Sequence, residues 1–436
     1  MSNNKDSQLD LNASSLIPAG CHTYSKGNDQ FPGNAPSVIV KGSGSHCWDD
    51  KGTEFIDWGM GLRSVILGHA FEPVLDAVRE QLLLGSNFTR PSPIEALLAQ
   101  ELISLIPCAE MCKFAKNGSD VTTAATRLAR AYTGRKFIAR CSDNPFFSFD
   151  DWFIGTTSPN GGIPPEISKL TLQFRYNDLP SLEVLFQEYP DQIACVIMEP
   201  VSTVPPNESY LQEVKRLTHQ NGAVLIFDEI ISGFRWHLGG AQTYFDVIPD
   251  LSTFGKAIAN GFSLSALVGK KEIMELGGLD HPYKKVFLLS STNGAETHSL
   301  AAALATIKTM KEDKTVEHIW RIGGTLQERF NEVSRNLGML DYVKIEGYPC
   351  SPYLVTKDNN LNPSMEYRTL FLQETVNMKV LLPWIAISQS HSESDLDATL
   401  EACTSALQLY KIALDTGDPL SMIRGPIVKP VFREYN

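Results

Sequence analysis

GAVLIFDEIISGFR, residues 222–235, opens on an uninterrupted apolar run from Ala223 to Phe227. A run that short and that apolar reads as a strand buried on both faces, as a parallel sheet covered by helices demands. It ends on two carboxylates, Asp228 and Glu229. Open α/β sheets bind ligands beyond the carboxyl ends of their strands, so an acid here stands at a ligand position. A loop acid that only starts the next turn is the competing reading. Upstream, IACVIMEPV (Ile193 to Val201) is a second buried strand, and Tyr210 to Asn221 reads as the helix between the two. Downstream, LSALVGKKEIM (264–274) reads as strand then helix. Strand, helix, strand, helix at these lengths predicts a doubly wound α/β domain with a mainly parallel sheet.

The choice between ligand acid and loop acid turns on STFGKAIANG, 28 residues further on (256 − 228). Lys256 lies there between Gly255 and Ala257, with Gly261 close behind. Glycine beside a lysine lets a flat ligand approach the backbone, and a lysine amine can form a Schiff base with an aldehyde. An acid for a pyridinium nitrogen and a Schiff-base lysine together are what pyridoxal 5'-phosphate chemistry requires. Lys256 and Asp228 are therefore the expected catalytic pair.

These residues also carry a family resemblance. LIFDEIISGFR followed by TFGKAIANG resembles the class III aminotransferases, and among them the glutamate-1-semialdehyde 2,1-aminomutases most. The likeness runs from about Ile17 to about His391. It implies a fold type I α/β protein with a large mainly parallel sheet domain and a small α/β domain built from both chain ends. The expected division is 1–75 in the small domain, 76–330 as the large cofactor domain and 331–436 as the C-terminal part of the small one. The resemblance further implies a homodimer with shared sites.

Composition sets outer bounds. The chain has 436 residues, 43% hydrophobic and 20% charged, as in ordinary globular proteins. A net charge of −12 speaks against nucleic acid or an anionic membrane surface as the main partner. Eight scattered cysteines have neither zinc-ligand spacing nor the density of a disulfide scaffold, so reduced thiols in the cytoplasm and no metal are expected. No apolar run reaches membrane-spanning length, and Met1 to Leu11 reads as a disordered tail.

Along the chain, Val38 to Trp58 reads as a strand meander with turns at Gly42–Gly44 and Asp50–Gly52. Gly59 to Phe71 is glycine-rich and holds His69, read as a structural histidine, in a region that lines the substrate mouth in the family. Helices are expected at Pro73–Leu84 and Ile94–Ile106. Lys113–Ala115 is a short strand, and Asn117, Gly118 and Ser119 form a turn that opens a helix. Free N–H groups at a helix start make a phosphate site, although Gly-Ser before a helix is commonly only a cap. The position matches the family's cofactor-phosphate turn, with Ser119-Asp120-Val121 in place of the usual Ser-Glu-Ala. After the next strand most relatives place an aromatic, His and Gly; here the chain reads Asn144-Pro145-Phe146-Phe147-Ser148. Phe146 is taken as the residue stacking on the pyridine ring, with Phe147 the alternative, and Ile230 as packing on the other face. Glu199 sits beside the cofactor in the family, or else organises the turn before Pro200. A threonine that reaches the neighbouring subunit's phosphate falls at Thr292, with Ser291 as the alternative register.

Three functions compete. The first is an aminotransferase that moves an amino group, with L-glutamate as donor, to an aldehyde or ketone such as a carbohydrate precursor. The second is glutamate-1-semialdehyde 2,1-aminomutase. The third is a non-catalytic descendant, which the presence of both Lys256 and Asp228 argues against. A nucleotide-binding domain is set aside, since no glycine-rich phosphate fingerprint follows the first strand. Between the first two, LLPWIAISQSH decides. Aligned through Ser388 and His391, Pro383 occupies the place of the aminomutases' gating glutamate. The arginine they carry in the N-terminal loop is also missing, because Thr23 to Phe31 reads TYSKGNDQF. Intermolecular transamination is the expectation.

Overall fold

The computed structural model describes residues 13–201 and 203–435. The tail reading of Met1 to Leu11 lies outside them. The chain divides into two compact units. One runs to Leu62 and takes in Ile66–Phe71 and Glu317–Arg433; the other comprises Arg63–Val65 and Glu72–Val316, with the last residues from Glu434.

The larger unit is built on seven strands: β1 (Met111–Ala115), β2 (Phe137–Cys141), β3 (Thr171–Phe174), β4 (Ile193–Met198), β5 (Val224–Asp228), β6 (Leu251–Phe254) and β7 (Ser265–Gly269). Their order in the sheet is β1-β7-β6-β5-β4-β2-β3. Strand β7 is antiparallel to both neighbours and every other pairing is parallel, so six strands share one direction. Strands β2, β4, β5, β6 and β7 are buried at every position; that is why β4 and β5 read as nearly continuous apolar runs, while β2 buries Arg140 and β6 buries Ser252 and Thr253. Helices α1 (Glu72–Leu84), α2 (Pro93–Leu105), α3 (Gly118–Thr133), α4 (Leu179–Glu188), α5 (Tyr210–Gln220) and α6 (Thr297–Glu312) surround the sheet. Helices α4 and α5 bury Leu182, Phe186, Leu211 and Val214 against Val196 and Leu225 of β4 and β5. Each such side chain contributes about 1.5–3 kcal/mol on removal from water. That packing fixes the two strands whose ends carry Glu199 and Asp228.

The smaller unit joins the two ends of the chain. Strands Ile39–Ser43, His46–Asp49 and Glu54–Asp57 form the expected antiparallel meander. Val380–Leu381 adds to it in parallel, with Val380 opposite Ile56. A hairpin, Val343–Glu346 with Tyr353–Thr356, and helices Met365–Asn377 and Glu393–Thr416 complete it. Trp58 is fully buried, donates from Nε1 to Thr399 Oγ1 at 2.9 Å and stacks on His391 at 4.2 Å. His69 has a structural partner in this unit, Nε2 lying 2.8 Å from Asp57 Oδ2. No helix among the described residues is long and apolar enough to cross a membrane.

Candidate active site

The sequence-selected residues of the larger unit follow the carboxyl ends of its parallel strands. Asp228 is the last residue of β5, Glu199 follows β4, Gly255 and Lys256 follow β6, and Gly118 and Ser119 come shortly after β1. Asp228 is buried and accepts from Ile230 N and from Thr253 Oγ1, both at 3.0 Å and both on Oδ1. Burial pushes its carboxyl from the ordinary 3.8 to about 6, although those two bonds and the nearby Lys256 charge oppose the rise. Lys256 is shifted the other way. Burial, the Arg63 cation and, more weakly, Arg235 lower its amine from 10.5 to about 8, against the acids Glu199 and Asp228. A buried acid and a lysine near neutrality, each displaced toward its uncharged form, are suited to proton transfer around pH 7.

The lysine sits on a strained turn. Its φ is +42°, in the left-handed region that side-chain-bearing residues avoid. Ile230 ties this turn to the helix start. A Cβ at Gly255 would lie 2.9 Å from Ile230 Cδ1, and one at Gly118 would lie 3.3 Å from the same atom. Three separate loops therefore meet on one isoleucine side chain.

At the start of α3, Asn117 is the N-cap and accepts from Asp120 N at 3.1 Å. Asp120 in turn accepts from Lys116 N, Asn117 N and Asn117 Nδ2. The aspartate that departs from the family pattern thus closes a capping box. Ser119 is buried and accepts from Phe149 N at 3.1 Å, which leaves its own hydroxyl proton to donate. Segment 147–152 is stitched to the same helix: Thr122 Oγ1 donates to Phe147 O at 2.8 Å and Trp152 Nε1 to Thr123 Oγ1 at 2.8 Å. Phe147 is 2% exposed and packs edge-on against Phe153, whereas Phe146 is 45% exposed and also meets Phe153 edge-on, at 5.6 Å. Glu199 is buried, and its N–H donates to Asn144 Oδ1 at 3.0 Å. Thr292 is exposed, and its carbonyl accepts from Asn87 Nδ2 at 3.0 Å.

The family profile "Aminotransferase class-III" matches residues 28–378. The chain belongs to the class III aminotransferases. It is 34% identical to the 3-aminobutyryl-CoA aminotransferase of Cloacimonas acidaminovorans (strain Evry) over 409 residues, covering 92% of this chain and 95% of the relative. It is 32% identical to a glutamate-1-semialdehyde 2,1-aminomutase of Sulfurihydrogenibium azorense, covering 87% and 92%. Among solved structures, the Sphingopyxis sp. MTA144 FumI protein with pyridoxal phosphate matches at TM-score 0.86 and 25% identity, covering 95% of this chain and 99% of that one. This aminotransferase is a fold type I enzyme, and its cofactor is pyridoxal 5'-phosphate. The donor set above fits that group: a buried carboxylate, an amine on a glycine-flanked turn, and a serine at a helix start.

Two site features of the aminotransferase were not read from sequence. Glu229 is fully enclosed and accepts from Gln242 N (3.1 Å), Gln242 Nε2 (3.0 Å), Ser232 Oγ (2.9 Å) and Ala241 N. It clamps the loop that carries Arg235, and burial raises its carboxyl to about 7. Its adjacency to Asp228 was the only signal, and of its partners Ala241 and Gln242 lie 12 and 13 residues on. The second feature is Arg63, whose charge acts on Lys256.

Proposed function

We propose that this enzyme transfers an amino group between two separate molecules, with an amino acid, L-glutamate first, as donor and an aldehyde or ketone as acceptor. In this reading Lys256 Nζ would hold the cofactor and would serve as the proton carrier at the amine-bearing carbon. Asp228, with Oδ1 already engaged, offers its other oxygen to the ring nitrogen and orients it. Ile230 and Phe146 would contact the cofactor's ring, Glu199 would lie beside it, and Gly118 and Ser119 would take its phosphate on helix N–H groups and a hydroxyl. When bound, pyridoxal phosphate supplies an electron-withdrawing ring that stabilises negative charge on the carbon bearing the amine.

The observation that carries transfer between two molecules is Pro383. Matched without gaps through Ser388 and His391, as the family resemblance implies, it falls at the place of the aminomutases' gating glutamate. Its ring cannot accept or donate a proton, and its carbonyl is held by Arg368 Nη2 at 2.6 Å. An aminomutase must retain its half-reacted diamine; with no gate and no N-terminal-loop arginine, this chain lacks the parts for it. The similarity to an enzyme named 3-aminobutyryl-CoA aminotransferase supports the same reading. Acceptors to assay first are carbohydrate carbonyls and β-carbonyl acyl thioesters. Glutamate 1-semialdehyde supplied alone is expected to give no sustained 5-aminolevulinate, and rapid conversion would establish the aminomutase instead.

The reading includes a cytoplasmic homodimer in which Thr292 reaches the second copy's phosphate. In support, all eight cysteines are free thiols. Leu83, Leu84, Leu279, Tyr283 and Phe287 are each at least 70% exposed in the same unit as Thr292. A contiguous patch of such side chains would be an association surface, and the proposed dimer would cover these. Sedimentation is expected to show a dimer, and Leu83→Asp to weaken it with parallel loss of activity. A fully active monomer would contradict the shared site.

A further inference from the structure

Arg63 has no place in the reaction roles above, yet the fold spends strain to hold it. Its φ is +71°, and a non-glycine residue in that region persists only where its surroundings over-determine it. Two contacts do so. Arg235 Nη2 donates to the Arg63 carbonyl at 3.4 Å. Two residues on, Val65 lies against the end of the lysine turn, where a Cβ on Gly261 would come 3.3 Å from Val65 Cγ2. Arg63–Val65 is therefore fastened to the Asp228 loop on one side and to the Lys256 turn on the other. The Arg63 residue is only half-buried. Its charge acts on Lys256 more strongly than that of Glu199, Asp228 or Arg235. The backbone contacts hold the Arg63 segment beside the Lys256 turn, and the Arg63 charge is felt at the Lys256 amine.

We infer that Arg63 is a specificity residue that takes the carboxylate of the amine donor beside Lys256. The inference rests on the aminotransferase reading and assigns its donor class: an amino acid rather than a plain amine. A guanidinium offers two parallel N–H donors that match a carboxylate, and the N-terminal loop provides only Lys26 as an alternative. A bound carboxylate also neutralises the cation that opposes charge on Lys256. An acidic donor gains both effects, and a plain amine gains neither.

The test uses holoenzyme with L-glutamate and 1-phenylethylamine as alternative donors, in wild type, Arg63→Gln and Arg63→Lys. The ratio of kcat/KM for the acid to that for the amine is expected to fall roughly ten- to hundredfold in Arg63→Gln, mainly through KM. Arg63→Lys should recover part of the loss as a point charge. Glutarate, a dicarboxylate that cannot react, should bind Arg63→Gln at least about tenfold more weakly by calorimetry. Equal losses with both donors, or an unchanged glutarate affinity, would overturn the assignment and leave Arg63 a structural residue. Wild-type enzyme that used neither donor would defeat the aminotransferase reading separately, and the glutarate titration would still decide Arg63.

Discussion

Lys256→Ala is expected to abolish turnover, by a factor of at least about 10⁴, in a chain that remains folded and still binds pyridoxal phosphate without covalent attachment. On the proposed roles, the substitution removes two functions of one atom. Loss of a positioned proton carrier alone costs about 10²–10⁴-fold, and loss of the covalent tether adds to it. Folding should not suffer, because the wild-type amine is poorly accommodated in the absence of cofactor. Burial and the Arg63 cation lower it from 10.5 to about 8. Between those values the unfolded chain binds the extra proton and the native one does not, so cofactor-free wild type gains stability as pH rises from about 8 toward 10.5. Below about 8 the native state carries the whole penalty of a buried ammonium. Cofactor-free Lys256→Ala should therefore melt no lower than wild type at pH 7, and the difference between them should shrink as pH approaches 10. A variant with wild-type turnover would overturn the role of Lys256 and with it the proposed reaction.

The fold was legible wherever one local pattern determined an element. Ala223 to Phe227 and Ile193 to Val201 read as buried strands because each apolar run is unbroken until the acid at its carboxyl end, Asp228 or Glu199, and β5 and β4 lie there. The helix after Gly118 was legible from its cap and its one apolar face, and it runs Gly118–Thr133. The parallel pairing of Val380 with Ile56 is a different matter. Both segments read as strands, but nothing local says that residues more than 300 positions apart are neighbours. Within the candidate site, motif spacing singled out Asp228 and Lys256, yet three facts depend on tertiary contact. Ile230 reaches both Gly118 and Gly255. Glu229 is a clamp because Ala241 and Gln242 turn their N–H groups on it. Arg63 looked like one residue of a glycine-rich loop, and only its fastening by Arg235 and Val65 brings it into view. The left-handed backbone of Lys256 was equally hidden, since local preference opposes it and only the packed surroundings impose it.

Asp228→Asn is expected to lower the rate about 10²–10³-fold while raising the stability of the cofactor-free protein at neutral pH. The opposite signs share one cause. A carboxylate facing a protonated ring nitrogen in a water-poor site makes a charge-assisted bond, and loss of a preorganised electrostatic partner of this kind costs about 3–4 kcal/mol. Asparagine keeps the shape, and its Oδ1 can still accept from Ile230 N and Thr253 Oγ1. It cannot supply the negative charge. Without cofactor the balance reverses, because burial has raised the acid from 3.8 to about 6. Between those values the native state holds a proton that the unfolded chain releases, so wild-type stability falls as pH climbs through that window. The amide has no such slope. Cofactor-free Asp228→Asn should therefore be more stable than wild type by on the order of 1–3 kcal/mol at pH 7, with the advantage gone near pH 4. Thermal melts of the cofactor-free proteins across pH 4–7 check the second sign, and single-turnover absorbance with donor checks the first. Glu199 is the internal control, since it too is buried and acts on Lys256. If Asp228→Asn kept the wild-type rate and Glu199→Gln lost it, the partner of the ring nitrogen would be Glu199.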